Sequence, residues 1–269
     1  MRHRYCTWVF ASAVSARSAP FDGVPLLDRQ DLAAKIELEG RHWWYRGRRE
    51  VVHAALTRLD LPQPCELLDA GCGSGTNLEW LSSLGPARGV DLNPAAIEWA
   101  ASRGHDVAVG SLNQLDYRRQ SFDLITCLDV LEHIEDDAGA LLELRRVTRH
   151  GGHLLVTAPA YPRLRSEHDA AAGHVRRYTR PRLVRLAEAN GWEPVLVTSF
   201  NFLLLPAAAA RRLATRPRRQ SRRPRSDLLR GPAALDSPLS LPLRLEAAAL
   251  RRGVRLAWGL SILVALRKR

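Results

Sequence analysis

The stretch LLDAGCGSGTNLEWL, residues 67–81, constrains this chain more than any other. An apolar run ends in an acid, a glycine-rich turn follows, and the spacing predicts a helix from Thr76 onward. Leu67 and Leu68 read as the end of a buried strand. Gly71, Gly73 and Gly75 let the backbone turn sharply and approach a ligand where a side chain would block it. The free N–H groups at the start of the expected helix face that loop.

The spacing of the glycines narrows the ligand. Dinucleotide folds carry GxGxxG, whose third glycine packs helix and strand around a pyrophosphate. Here the spacing is GxGxG and the sixth position is Thr76. Asp69 places a carboxylate beside the loop, where a pyrophosphate is repelled and an amino group is welcome. A second short strand, GVDLN, ends in Asp91, 22 residues after Asp69, close to the position of an acid that hydrogen-bonds ribose hydroxyls.

Residues 65–158 resemble the core of a class I S-adenosylmethionine-dependent methyltransferase, through LLDAGCGSG, GVDLNP, SFDLITCLDVLEHI and GGHLLVTAP in that order. The resemblance implies S-adenosylmethionine as cofactor, with the Gly71, Gly73, Gly75 loop facing its amino-acid part and Asp69 placing its ammonium directly or through water. It puts Asp91 on the ribose hydroxyls and Leu92 in the adenine pocket. Where the family often has an acid after the third strand, this chain has Ser111 and Leu112. These are assigned to the adenine through a backbone or hydroxyl contact, with an ordinary loop as the alternative for Ser111.

LDVLEHI brings Asp129, Glu132 and His133 together after the fourth strand, and Asp129 joins the cofactor set. A similar acid-x-x-Glu-His block occurs in ubiquinone-biosynthesis O-methyltransferases, some of which use a divalent metal there. Carboxylate and imidazole also serve as a helix cap and a buried hydrogen-bonded pair; that reading is preferred, and no metal is expected. After the fifth strand, SEHDAAAGHVRRYTRPRL concentrates His168, Asp169 and His174, the candidate catalytic residues, with Arg176, Arg177 and Tyr178. Histidine accepts a proton near neutral pH and paired arginines hold a carboxylate or phosphate; a solvated loop is the alternative.

HWWYRGRR, residues 42–49, together with SEHD, GHVRRYT and GLSILVALRK, also resembles bacterial methyltransferases linked to cell-envelope glycan and lipid pathways. That resemblance implies a lid over the cofactor, with Arg48 or Arg49 meeting its carboxylate. Alternatively, Trp43 and Trp44 anchor an N-terminal helix to the core.

Apolar segments at about 65–70, 87–91, 106–109, 122–128, 152–158 and 194–200 alternate with helical patterns at about 76–84, 94–102, 137–148 and 180–190. SILVALRK closes the chain as a strand. The expected fold is α/β: a Rossmann-like, doubly wound, seven-stranded sheet, mainly parallel with an antiparallel last strand. Residues 1–27 read as a disordered leader or a mis-assigned start, 28–64 as a helical lid, with Asp28 or Asp31 as cap and HWWYRGRRE interrupting the helix. Residues 65–200 form the core, 201–258 a helical insertion with an arginine-rich flexible loop and a helix at 241–257, and 259–269 the final strand.

A formal charge of +12 suggests nucleic acid until it is divided along the chain. Residues 211–269 carry 16 basic and 3 acidic residues, so residues 1–210 net to −1. The core is near neutral, and the charge belongs to the insertion and tail. Four cysteines lack metal-ligand spacing, which suits a reducing cytoplasm. No stretch reaches the ~18 apolar residues of a spanning helix. Phe202, the following leucines and alanines, and Arg211 and Arg212 suit shallow insertion beside anionic headgroups. The expected activity is O-methylation of a small or lipid-linked metabolite or sugar, in the cytoplasm or peripherally at the inner face of the membrane. The competing readings are an RNA methyltransferase using the arginine-rich insertion and a noncatalytic cofactor-binding scaffold. No NPPY-like tetrapeptide follows the fourth strand, so nucleic acid is disfavoured.

Overall fold

Leucine-rich runs with no polar face need cover on both sides, and the chain supplies it with helices on each face of one sheet. The computed structural model describes residues 36–40, 42–214 and 236–269. The expected leader, the caps at Asp28 and Asp31, and the arginine-rich segment 215–235 lie outside the described residues.

The strands are β1 (Leu67–Ala70), β2 (Ala87–Asp91), β3 (Asp106–Val109), β4 (Phe122–Leu128), β5 (Thr148–Pro159), β6 (Trp192–Phe200) and β7 (Ser261–Lys268). They form one seven-stranded sheet in the order β3-β2-β1-β4-β5-β7-β6. β7 is antiparallel to both neighbours, β5 and β6, and the pairs among β1 to β5 are parallel. Six strands therefore end on one edge, with Asp69, Asp91, Ala160 and Phe200 at or beside it; β7 begins there. Ligands bind at such an edge in open α/β sheets.

The helices are α1 (Trp43–Leu56), α2 (Leu78–Leu81), α3 (Pro94–Ser102), α4 (Asp137–Val147), α5 (Glu167–Ala172), α6 (Arg180–Ala189), α7 (Leu205–Ala214) and α8 (Asp236–Arg251). Successive strand residues face opposite sides: Leu68, Ile125, Leu154 and Val156 pack under α4 and α6, while Leu67, Leu124, Leu155 and Leu263 pack under α1 and α8. Each such leucine contributes about 1.5–3 kcal/mol of burial.

Several expectations are corrected. HWWYRGRRE breaks the helical pattern after the turn at 36–40, as expected, but also begins α1, because His42 caps that helix by accepting the Trp44 N–H at Nδ1 (3.2 Å). The helix expected from Thr76 starts only at Leu78 and lasts four residues before a 3-10 turn at Ser82–Leu84. Two turns, Gly75 N–H to Cys72 O (3.0 Å) and Leu78 N–H to Gly75 O (2.9 Å), occupy the intervening backbone. β5 begins at Thr148 rather than at about 152, where the Thr148 hydroxyl donates to Leu144 O (2.8 Å) and closes α4. α8 ends at Arg251, not at 257. Cys65, Cys72 and Cys127 are buried free thiols. Among the described residues no helix is long and apolar enough to cross a membrane.

Candidate functional site

The glycine loop joins β1 to α2 at the ligand edge. Gly71 has φ +82°, and a Cβ there would run into the Val130 side chain. Gly73 also has positive φ, but a Cβ there would meet nothing within 4 Å. The loop thus packs closely on its inner side and is open in front, as a cradle for a ligand must be.

Three carboxylates surround this opening. Asp69 is 1% exposed; its Oδ1 accepts the Thr126 hydroxyl at 2.6 Å, whereas its Oδ2 has no hydrogen-bond partner. Burial pushes its carboxyl up to about 6, opposed by the Thr126 bond, by the nearby Asn77 side chain, which does not reach hydrogen-bonding geometry with Oδ2, and by the Arg48 charge, and helped by Asp91. Asp91 accepts the Gly73 N–H on Oδ2 (2.9 Å) and the Asn93 N–H on Oδ1 (2.8 Å), which fixes the carboxylate while each oxygen keeps acceptor capacity. Glu39, from the helical turn at 36–40, accepts the Ser74 and Thr76 hydroxyls at 2.9 and 3.0 Å. A loop ringed with acids repels diphosphate and attracts a cation. An ammonium and a sulfonium fit this donor set, and the orphaned Asp69 Oδ2 offers a direct partner to the first.

α1 lies across this edge. Arg48 donates to Asp129 Oδ2 at 2.5 Å and stacks over Trp44 and Tyr45, 5.0 and 5.5 Å from the ring centroids. Asp129, expected to contact cofactor, is held by this pair and by its own N–H donated to Thr157 O (3.0 Å). Its φ is +58°, a conformation sparsely used by side-chain-bearing residues. Leu92 is half-buried beside Asp91. Ser111 Oγ accepts the Asn113 N–H (3.2 Å) in a tight turn. Leu112, 4% exposed, packs its side chain into the core under α4, so only its backbone is available for the expected adenine contact.

The catalytic candidates meet around α5, but in unequal roles. Asp169 is fully buried and accepts from Arg177 Nε (2.6 Å) and Nη2 (3.0 Å), His174 Nδ1 (2.8 Å) and the Ser166 N–H (2.7 Å). Burial alone would raise its pKa, but the bonds from His174 and Arg177 and the Arg177 charge hold it below the carboxylate range. Both Asp169 oxygens are engaged, and the carboxylate holds His174 and Arg177 in place. A carboxylate only accepts, so the shared proton sits on Nδ1 and Nε2 points elsewhere. His168 is partly exposed, its ring 5.9 Å from that of His174.

Glu132 overturns the expectation of a buried hydrogen-bonded pair. It is fully buried, and both carboxylate oxygens lack partners. Burial first, then Asp129, raises its pKa well above the usual range. His174 Nε2 lies 4.0 Å from Glu132 Oε1, and ligand atoms of Glu132, His133 and His174 all fall within 4.8 Å of one another. A carboxylate with two imidazoles is a donor set for first-row divalent metals.

Glu39 and Thr126 were not singled out by sequence. Thr126 left a signal, a hydroxyl inside the apolar strand FDLITCL; Glu39 left none.

This fold and this glycine loop are similar to those of class I S-adenosylmethionine-dependent methyltransferases. Residues 68–156 match the family described as methyltransferase domain. The ubiquinone biosynthesis O-methyltransferase of Alkalilimnicola ehrlichii is 30% identical over 139 residues, 45% of this chain and 56% of that protein. That of Xanthomonas oryzae pv. oryzae is 31% identical over 140 residues, with the same coverage. The chain thus spans about half the length of these curated relatives. Among solved structures, the S-adenosylmethionine-dependent methyltransferase from Mesorhizobium loti superposes with TM-score 0.54 at 17% identity, covering 82% of this chain and 98% of that one. Geranyl diphosphate C-methyltransferase from Streptomyces coelicolor, in complex with Mg2+, geranyl diphosphate and S-adenosyl-L-homocysteine, gives 0.55 at 16%, covering 81% and 77%. At these identities the structures speak for the fold alone.

Proposed function

We propose that this chain is an S-adenosylmethionine-dependent O-methyltransferase acting on a small or lipid-linked acceptor. The observation that carries the reading is the buried Asp69 carboxyl, with one oxygen unpartnered at the mouth of an acid-ringed glycine loop. S-adenosylmethionine, when bound, supplies an electrophilic methyl group on a sulfonium. Asp69 would hold the ammonium, Asp91 the ribose hydroxyls, and Arg48, released from Asp129, the carboxylate. Methyl transfer is an in-line displacement, so alignment does most of the work. A hydroxyl acceptor must also lose a proton, and His174, oriented through Nδ1 by Asp169, is the base we assign.

A second reading is favoured by Glu132, whose orphaned oxygens sit beside two imidazoles. Glu132, His133 and His174 would hold a divalent cation, which would polarise an acceptor oxygen. Peripheral membrane binding is a further part of the proposal. Phe202, Leu203, Leu241 and Leu245 are exposed at 38%, 52%, 52% and 57%, on elements flanking the arginine-rich segment. The near-neutral core still weighs against RNA.

The test is methyl-labelled S-adenosylmethionine incubated with fractionated lipid, glycan, small-molecule and RNA extracts. Label in a lipid or small-molecule fraction is expected. Asp91→Ala should abolish cofactor binding, while His174→Ala should keep it and lower turnover; label in RNA, or equal binding losses in both variants, would refute the assignment. EDTA followed by Mn2+ or Zn2+ separates the two readings of His174, since only the metal reading predicts lost and restored turnover.

A further inference from the structure

Away from the glycine loop, the same sheet edge carries a cleft of about 220 Å3 between the ends of β5 and β6 and the start of β7. Ala160, Tyr161, Thr179, Arg180, Ser199 and Trp258 contribute to its walls. The donor loop occupies the β1–β2 half of the edge and this cleft the β5–β7–β6 half, on opposite sides of the point where strand order reverses.

Trp258 is the informative residue. Its side chain is 63% exposed, yet the loop carrying it is pinned on both sides. Leu256 O accepts from the Ser199 N–H (2.9 Å) and from Arg180 Nη1 (3.0 Å). The Leu256 N–H donates to the Thr198 hydroxyl (3.0 Å), and the Ser199 hydroxyl donates to Ala257 O (3.4 Å). Leu260 O, on the far side, accepts the Ala160 N–H (2.8 Å). The backbone that presents the exposed indole is fixed, so stacking a ring on it costs little backbone entropy. Around it stand groups that bond hydroxyls and acids. Thr179 Oγ1 accepts the Arg182 N–H (3.4 Å) and keeps its own proton to donate. Arg180 spends Nη1 on Leu256 O, and no other hydrogen bond or ion pair of its guanidinium occurs among the described residues. Tyr161, at φ +59°, is fixed by its N–H donated to Tyr178 O (2.8 Å).

A stacking face, hydroxyl partners and one guanidinium, in a space for a single ring, select a polar ring with an acidic substituent. We propose that this cleft binds the ring of the acceptor, and that the ring is a pyranose bearing a carboxylate or phosphate. The proposal rests on the methyltransferase reading above, and names the acceptor class for it. The apolar face of the sugar stacks on Trp258, its hydroxyls meet Thr179 and Tyr161, and its acid meets Arg180.

The test is binding, so it needs no turnover. Calorimetric titrations of the full chain with methyl β-D-glucuronide, glucose 1-phosphate, neutral methyl β-D-glucoside and benzoate are compared, with S-adenosylhomocysteine titrated into the same samples. Saturable millimolar binding is expected for at least one acidic sugar, stronger than for the glucoside and benzoate; the preferred acid distinguishes carboxylate from phosphate. Trp258→Ala should weaken it about fivefold and Trp258→Phe much less, with unchanged thermal midpoint and unchanged S-adenosylhomocysteine affinity. Arg180→Ala should erase the preference over the glucoside. Benzoate binding most tightly, absence of saturation for both acidic sugars, or equal affinities in wild type and Trp258→Ala would overturn the proposal. Failure of S-adenosylhomocysteine to bind would count against the methyltransferase reading instead, leaving the sugar titrations interpretable by themselves.

Discussion

Asp69→Asn separates what Asp69 costs the fold from what it does for the ligand. The carboxyl moves from its ordinary 3.8 to about 6 because burial disfavours its charge, a gap worth on the order of 3 kcal/mol. Its folded pKa is raised, so below about pH 4 both folded and unfolded chains hold the proton and no penalty applies. Between about pH 4 and 6 the unfolded chain ionises first and stability falls. Above that window both forms are ionised and the loss is constant. In the Asp69→Asn variant the Thr126 hydroxyl keeps an acceptor, the pH-dependent loss disappears, and an unpartnered amide Nδ2 costs about 1–3 kcal/mol. The net change at pH 7.5 is therefore within about 2 kcal/mol of zero or favourable, but the slope from pH 4 to 6 must flatten. Ligand binding moves the other way. Loss of a charge-assisted bond to the ammonium should weaken S-adenosylhomocysteine by about 10- to 150-fold, and wild-type affinity should fall as pH drops below 6. Urea denaturation at half-unit pH steps and calorimetry on both proteins read these quantities. An unchanged slope in the variant, or undiminished S-adenosylhomocysteine affinity, would refute the reasoning.

Three further outcomes are expected. Asp169→Ala leaves Arg177 buried without its carboxylate and should cost about 3–5 kcal/mol in chemical denaturation; because the Asp169 pKa is depressed, its contribution is present above about pH 4 and fades as pH falls below it. If Glu132, His133 and His174 hold a cation, Zn2+ or Mn2+ should raise the melting temperature of wild type but not of Glu132→Gln, whereas an equal rise in both would remove the metal reading. Flotation with liposomes containing anionic phospholipid should recover wild type and lose Leu203→Glu/Leu245→Glu and a 211–230 deletion; recovery of none or all of these proteins would sink the membrane proposal.

Much of the fold is legible because its signals are local. A strand covered on both faces, such as β5 at Leu154–Val156, needs unbroken apolar residues, and these are visible whatever lies across the sheet. Asn93 and Pro94 announce α3 through the Ala95 N–H accepted at 3.0 Å and the proline at the first turn. α2 was less legible: Thr76 and Asn77 have acceptable helix propensity, but consecutive turns through Cys72 and Gly75 consume that backbone. In the candidate site, Asp69, Gly71, Gly73 and Asp91 were legible as neighbours at one sheet edge because motif spacing carries them. Asp169 was read as chemistry from its neighbours in sequence, although five donors on three residues occupy it.

The sequence by itself determined the α/β alternation, the glycine cradle and the acids at two strand ends, because strand hydrophobicity and backbone turns depend on residues a few positions apart. Only the tertiary structure decided how those groups are charged and occupied. Arg48 meets Asp129 across 81 positions, Thr126 reaches Asp69 across 57, and Glu39 closes on Thr76 across 37. Desolvation and hydrogen-bond saturation depend on what packs around an atom in space. They saturated both Asp169 oxygens, left Glu132 and Asp69 with oxygens to offer, and set Trp258 on a fixed loop beside a cleft.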